Sequence, residues 1–222
     1  MLSVGGIQPF SSVDYPGRLA AVIFCQGCPW DCPYCHNPHL RLFARERSAG
    51  QPSWADALTL LQARRGLLDA VVFSGGEPLA QPELAAAMQE VRALGYAVGL
   101  HTAGINPLAL GRVLPYCDWV GFDVKATAAD YLAASGRKAG SVVAASLAAM
   151  IASGVDHEVR TTVDPRLFDQ AALLQLATEL AAAGVRRWRL QTCRGLPDSV
   201  VKPDLRNWLP ELQALIADSE VR

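Results

Sequence analysis

Four of the six cysteines in this 222-residue chain fall between positions 25 and 35. The segment reads Cys25-Gln-Gly-Cys28-Pro-Trp-Asp-Cys32-Pro-Tyr34-Cys35-His36-Asn37-Pro38. Thiolates are soft ligands, so this density points to a metal ion or an iron–sulfur cluster. Three chemistries compete for it. Two CxxC pairs could supply four thiolates to a structural zinc, but only three residues separate Cys28 from Cys32, whereas zinc ribbons hold their pairs well apart. A fully ligated electron-transfer cluster would ask for a ferredoxin order of cysteines, which this segment does not have. The third reading uses Cys28-x3-Cys32-x2-Cys35 alone. Three thiolates hold three irons of a [4Fe–4S] cube, and the open fourth iron makes the cluster a catalyst. Cys25 then reads as a small buried hydrophobe at a strand end, with a fourth ligand as the alternative. Cys117 and Cys193 have no partner spacing and read as unpaired thiols.

These residues need a frame that holds them. Apolar strand-like runs cover 19–24, 70–74, 97–101, 119–123, 158–162 and 188–191. They lack strict polar alternation, as strands covered on both faces do. Amphipathic helices fall between them. Ser53 caps one that runs to Arg65, and Leu84, Met88 and Val91 mark the face of the next. Val143, Leu147, Met150 and Ile151 mark a third. Asp169 caps a fourth, lined by Leu173, Leu176 and Leu180, and a last helix covers 209–217. Six such units imply an α/β fold with right-handed crossovers, either an open doubly wound sheet or a curved partial barrel. The length suffices for six strand–helix units and is tight for eight. Both layouts put chemistry at the C-terminal ends of the strands.

Each strand end carries a candidate. The cysteine segment follows the first strand, and Ser74-Gly75-Gly76-Glu77-Pro78 follows the second. His101-Thr102-Ala103-Gly104 closes the third, Asp123-Val-Lys125 the fourth, Arg160 lies in the fifth, and Gln191 ends the sixth. Cationic side chains suit a carboxylate, Asp or Gln suits ribose hydroxyls, and Glu with backbone carbonyls suits an amine. Taken singly, each is also an ordinary satisfied structural residue, and Gly-Gly-Glu-Pro an ordinary turn.

The spacing Cys28-x3-Cys32-x2-Cys35 resembles the signature of the radical S-adenosylmethionine superfamily. Tyr34 stands where that family has an aromatic residue beside the adenine. Gly75-Gly76-Glu77-Pro78 looks like its motif for the methionine amino group. Cys35-His36-Asn37-Pro38, the upstream Val13-Asp14-Tyr15-Pro16-Gly17 and the Asp123-x-Lys125 strand narrow the likeness to activating enzymes of glycyl-radical enzymes. Most similar are the activators of anaerobic ribonucleoside-triphosphate reductase. The resemblance implies a partial (β/α)6 barrel. It implies a [4Fe–4S] cluster on Cys28, Cys32 and Cys35 that binds S-adenosylmethionine, whose reductive cleavage yields a 5′-deoxyadenosyl radical. That radical takes a hydrogen from a glycine Cα of the partner enzyme. A reduced flavodoxin- or ferredoxin-type protein is the implied electron donor. The cofactor-binding residues implied are Tyr34, His36, Gly75, Gly76, Glu77, Pro78, Thr102, Asp123, Lys125, Arg160 and Gln191.

Two positions depart from the family pattern. His101 stands where the family usually has Asp, an acid that some relatives use to hold a monovalent cation. Gln191 stands where a pyruvate formate-lyase activator has a ribose-facing His. Pyruvate formate-lyase activation is therefore an alternative. So is a radical enzyme acting on a small molecule or peptide, such as a 7-carboxy-7-deazaguanine synthase-like protein, although those lack the Cys-His-Asn-Pro segment. A non-catalytic zinc or iron–sulfur module is the alternative of another class.

Composition bounds the remaining classes. A net charge of −1 with 18% charged residues offers no electrostatic footprint for nucleic acid or a polybasic membrane contact. At 51% hydrophobic residues the chain is not disordered. The longest uncharged run, 139–155, is too short and too rich in Ala, Ser and Gly to span a bilayer. The first ten residues lack the basic flank of a signal peptide, so the expected location is the cytoplasm. One domain over 1–222 is expected, with a cluster loop at 25–38 and a C-terminal extension from about 192. The basic side chains Arg186, Arg187, Arg189 and Arg194 read as a solvated face.

Overall fold

The computed structural model describes residues 1–43, 50–194 and 196–222. The six apolar runs become strands, and two further strands flank them. In chain order they are β1 (Val4–Ser11), β2 (Ala20–Cys25), β3 (Ala70–Gly75), β4 (Ala97–Thr102), β5 (Trp119–Asp123), β6 (Asp156–Val163), β7 (Arg187–Thr192) and β8 (Asp218–Val221). They form one sheet in sequence order, with β1 antiparallel to β2 and every later pair parallel. Among the described residues β1 and β8 do not pair, so the curved sheet is a partial barrel left open on one side.

The two flanking strands correct the expected count of six, and both have a physical reason for escaping notice. β1 reads Val-Gly-Gly-Ile-Gln-Pro-Phe-Ser, and Gly and Pro weaken any strand signal. Pro9 is tolerated there because β1 is an edge strand with register shifts in its pairing. β8 is four residues long and half acidic.

The helices are α1 (Trp54–Ala63), α2 (Leu84–Ala93), α3 (Pro107–Val113), α4 (Tyr131–Ser135), α5 (Gly140–Ser153), α6 (Gln170–Ala182) and α7 (Leu205–Leu215). Ser53 caps α1 through a reciprocal capping box with Asp56, and Asp169 caps α6 on the Ala172 N–H. The expected last helix begins earlier than 209. Asp204 caps α7 at the Arg206 N–H, which leaves Pro210 inside the helix.

Strand residues alternate between two buried faces. Ile23, Val71, Phe73, Leu100, Val120 and Phe122 join the large core beneath the helices. Ala20, Val22, Ala70, Val72 and Trp119 point into the barrel, with Tyr15 packed over them. Tyr15 lies in the β1–β2 connection, its ring 5.2 Å from that of Trp119. Farther along the same inward face the residues turn polar: Ser74, His101, Asp123, Arg160 and Gln191. The apolar floor thus gives way to chemistry at the C-terminal strand ends, as parallel barrels require.

Arg187 and Arg189 correct the reading of a solvated basic face. Arg187 pairs with Asp156 at 3.1 Å. Arg189 is buried and pairs with Asp218 at 2.8 Å, Glu220 at 3.3 Å and Glu158 at 3.7 Å. The acids of β8, invisible as a strand in the sequence, supply two of these partners. No helix among the described residues is long and apolar enough to cross a membrane.

Candidate active site

A cleft of about 280 Å³ opens at the C-terminal end of the sheet. Cys28, Cys32 and Cys35 line it together with Tyr34, His36, Gly75, Gly76, Glu77, Thr102, Asp123, Lys125, Arg160 and Gln191. Of the cofactor-binding residues expected from the sequence, Pro78 alone stands back from it. Pro78 is buried at the start of a single helical turn, Pro78–Ala80, behind Glu77.

The cysteine loop and the Gly-Gly turn are fitted to each other. Gly75 has a φ of 109°, and a Cβ there would stand 2.5 Å from the backbone nitrogen of Cys25. A Cβ on Gly76 would stand 2.3 Å from the carbonyl oxygen of Gly27 and 2.9 Å from that of Leu40. The loop's backbone occupies the space a side chain would fill, so both positions require glycine. Two hydrogen bonds close the contact: Gly76 N–H to Cys25 O and Glu77 N–H to Gly27 O, both 2.9 Å. On the far side the loop is clasped by α4. Asp31 N–H donates to Ser135 O at 2.9 Å, and Trp30 meets Tyr131 edge-on.

Glu77 is fully buried. Its carboxylate accepts from the Leu79 N–H at 3.0 Å, the Thr102 hydroxyl at 2.6 Å and the Ala103 N–H at 2.9 Å. Burial pushes its pKa up, and these three donors hold the rise back. Glu77 and Thr102 therefore lock the β3 and β4 ends together.

Asp123, Lys125 and Arg160 form the charged wall. Arg160 Nε donates to Asp123 at 2.9 Å, and Lys125 Nζ lies 3.8 Å from the same carboxylate. Gly121 leaves room for this, since a Cβ there would stand 2.8 Å from the Arg160 guanidinium carbon. Burial acts to raise the Asp123 pKa, but Arg160 and Lys125 together hold it below the usual carboxylate range. Burial likewise opposes the charge on Lys125, and Asp123 more than offsets it, so the ammonium is kept. About a third of the Asp123 side chain (35%) still faces the cleft, which leaves it free to meet a ligand.

The thiols suit a cluster. Burial pushes Cys28 up to about 11 and raises Cys32 as well, so both are protonated at neutral pH and release protons when they ligate. Among the described residues no three His, Cys, Asp or Glu side chains converge on a point that would hold a single ion. A four-iron cube asks for something else. Each thiolate takes its own iron, so the sulfurs spread around the cluster. The buried Tyr34 hydroxyl, near Cys32 and the Lys125 ammonium, has no partner among the described residues. Three soft donors lining one cleft and an orphaned buried hydroxyl beside them fit a [4Fe–4S] group here. Cys25 is wholly buried in the core and does not line the cleft. Cys117 and Cys193 are free thiols remote from this loop in sequence. His36 sits at the rim, where partial burial and the Lys125 and Arg194 charges push its pKa down.

Several cleft residues were given no cofactor role from the sequence. Ser74, His101 and Thr162 lie on the inward face by alternation with known neighbours, a signal readable once the strands are placed. Asp14 arrives from the β1–β2 turn, whose Asp-Tyr-Pro-Gly motif marked the turn but not the residue's place in the cleft, and Trp30 comes from within the cysteine loop without a local signal of its own. His101 is neutral, because burial first and Arg160 next push its pKa down to about 3.

Residues 22–177 match the sequence profile of the Radical SAM superfamily. The chain is similar, at 29% identity over 182 residues, to a candidate glycyl-radical enzyme activating enzyme of Methanocaldococcus jannaschii, covering 78% of this chain and 73% of that protein. It is 46% identical over 79 residues to a PqqA peptide cyclase of Streptomyces rochei, covering 36% of this chain and 21% of the relative. Its fold is similar to that of Streptococcus suis SuiB bound to the precursor peptide SuiA, with a TM-score of 0.68 at 13% identity. That likeness covers 90% of this chain and 48% of SuiB, so the chain spans about half the length of that structure. The superfamily uses a [4Fe–4S] cluster and S-adenosylmethionine, and the profile, the cysteine spacing and the fold agree: the chain belongs to the radical SAM superfamily.

Proposed function

We propose that this enzyme is a glycyl-radical-enzyme activase whose partner is an anaerobic ribonucleoside-triphosphate reductase. The observation that carries the reading is the similarity to the M. jannaschii activating enzyme over 78% of the chain. The Cys35-His36-Asn37 segment at the cleft supports it, since those residues set the activators apart in the sequence. Cys28, Cys32 and Cys35 hold the cluster. Gly75 and Gly76 present backbone to the methionine amine, with Glu77 and Pro78 fixing the turn through Thr102. Lys125 and Arg160 meet the carboxylate, Asp123 and Gln191 the ribose, and Tyr34 and His36 flank the adenine. When bound, cluster and S-adenosylmethionine together supply one-electron cleavage of a carbon–sulfur bond and, through it, hydrogen-atom abstraction from a glycine. This chain's own side chains orient the reactants and keep water out; none acts as general acid or base. The electron comes from a reduced flavodoxin- or ferredoxin-type protein.

A second reading, a radical enzyme that modifies a peptide, is favoured by the 46% identity to the PqqA peptide cyclase over 79 residues. The test is anaerobic reconstitution with iron and sulfide, assay of 5′-deoxyadenosine release, then mixing with the reductase. A glycyl radical by electron paramagnetic resonance supports activation. Release of 5′-deoxyadenosine with no radical on the reductase sends the reading to the peptide alternative. Zinc without iron, or a cluster with no cleavage, overturns both.

A further inference from the structure

Among the described residues, His101 is the one titratable side chain of the inward face that forms no ion pair. Its two ring nitrogens are both engaged. Nε2 lies 2.8 Å from the carbonyl oxygen of Asp14, and Nδ1 lies 3.3 Å from the Ser74 hydroxyl. A carbonyl only accepts, so in the neutral ring Nε2 carries the hydrogen and donates to Asp14, and Nδ1 accepts from Ser74. The ring also stands edge-on to Trp119, with centroids 5.5 Å apart. One side chain on β4 thus ties β3 to a turn 87 residues upstream.

That turn has little else to hold it at this height. Ser11 accepts from the Val13 and Asp14 N–H groups at 3.3 Å and donates to the Asp14 carboxylate. These bonds shape the turn internally. Tyr15 anchors its lower side: Gly99 lacks the Cβ that would stand 3.1 Å from the Tyr15 ring, and the Arg18 guanidinium lies over the ring, 5.3 Å from its centroid. Above Tyr15, Asp14 reaches the cleft. Among the described residues, only the His101 bond ties that upper half to the strands that carry the site.

We propose that His101 is a positioning residue that holds the β1–β2 turn as the floor of the active-site cleft, with Asp14 presented into it. The floor sets how deep a bound substrate can sit. A substrate that settles too deep or too loosely leaves the reactive geometry, and small displacements of that kind cost large factors in rate. The positional claim concerns this chain's own fold; its effect on turnover rests on the radical-enzyme reading above.

The test is hydrogen exchange across 12–18 in the reconstituted enzyme, with His101→Gln, His101→Asn and His101→Leu. Gln places its amide nitrogen where Nε2 stands and keeps the donor to Asp14. Asn reaches only toward Ser74, and Leu keeps neither bond. The expected result is exchange about tenfold faster in H101L and H101N, the factor one lost hydrogen bond of ordinary strength allows, and wild-type exchange in H101Q. Iron content and S-adenosylmethionine affinity stay as in the wild type, while 5′-deoxyadenosine release slows in H101L and H101N and recovers in H101Q. If H101L does not fold, H101N decides. Unchanged exchange in H101N, or an H101Q turn as loose as that of H101N, overturns the proposal. A wild-type enzyme that cleaves nothing overturns the radical-enzyme reading instead and leaves the exchange result to stand.

Discussion

Arg160 Nε donates to Asp123 Oδ1 at 2.9 Å, and the β5–β6 pairing sets these two residues directly opposite each other. Both point into the barrel because their partners in register do. Arg160→Gln leaves the carboxylate with Lys125 alone, at 3.8 Å. The expected loss is about 1–2 kcal/mol in urea unfolding, below the figure for a fully buried pair because a third of Asp123 meets solvent. Adding Asp123→Asn deepens the loss, since the buried Lys125 ammonium then keeps no carboxylate beside it.

Gly76→Ala puts a methyl group 2.3 Å from the Gly27 carbonyl oxygen, where only backbone could give way. The cysteine loop shifts, and iron per chain after reconstitution falls severalfold. Gly111→Ala is the control. Nothing among the described residues lies within 4 Å of its Cβ, and in helix α3 alanine stabilises by about 0.5–1 kcal/mol. Iron analysis and thermal unfolding separate the two variants.

Cys28→Ala, Cys32→Ala and Cys35→Ala each remove a thiol that faces the cleft, and each abolishes the cluster's visible absorbance. Cys25→Ala keeps it, because that thiol sits in the core and not at the site. The cost is a small cavity, about 1 kcal/mol of stability. Loss of absorbance in the Cys25 variant would make that residue a ligand.

His101 gives the fold an acid sensitivity of known sign. Its folded pKa of about 3 lies below the roughly 6.5 of an unfolded histidine. Between those values the unfolded chain binds a proton that the folded chain refuses, so stability falls as the pH drops through that window. Between pH 7 and pH 5 this one ring removes about 2 kcal/mol. His101→Gln lacks the effect, and its urea midpoint falls less over the same interval. An equal fall in both proteins would mean the ring titrates normally.

The cysteine spacing, the Gly-Gly turn and the order of strands and helices were legible in the sequence because each is local. Thiolates three and four positions apart reach one cluster whatever surrounds them, and β-branched runs between capped helices dictate an α/β chain. β1 and β8 were not legible: Gly, Pro and acids obscure strands that exist only because a neighbouring edge accepts them. The same holds for the side chains around the cleft. Asp123 was a candidate by motif, but its pairing with Arg160 depends on the register between two strands. Arg189 looked solvated until β8 brought Asp218 and Glu220 beside it. His101 looked like a lost acid until Asp14 and Ser74 took both its nitrogens. Sequence by itself determined which chemistry the chain carries, since ligand type and spacing are written along the backbone. Tertiary structure alone decided which residues share the cleft, because strand register and barrel curvature join positions that no local pattern connects.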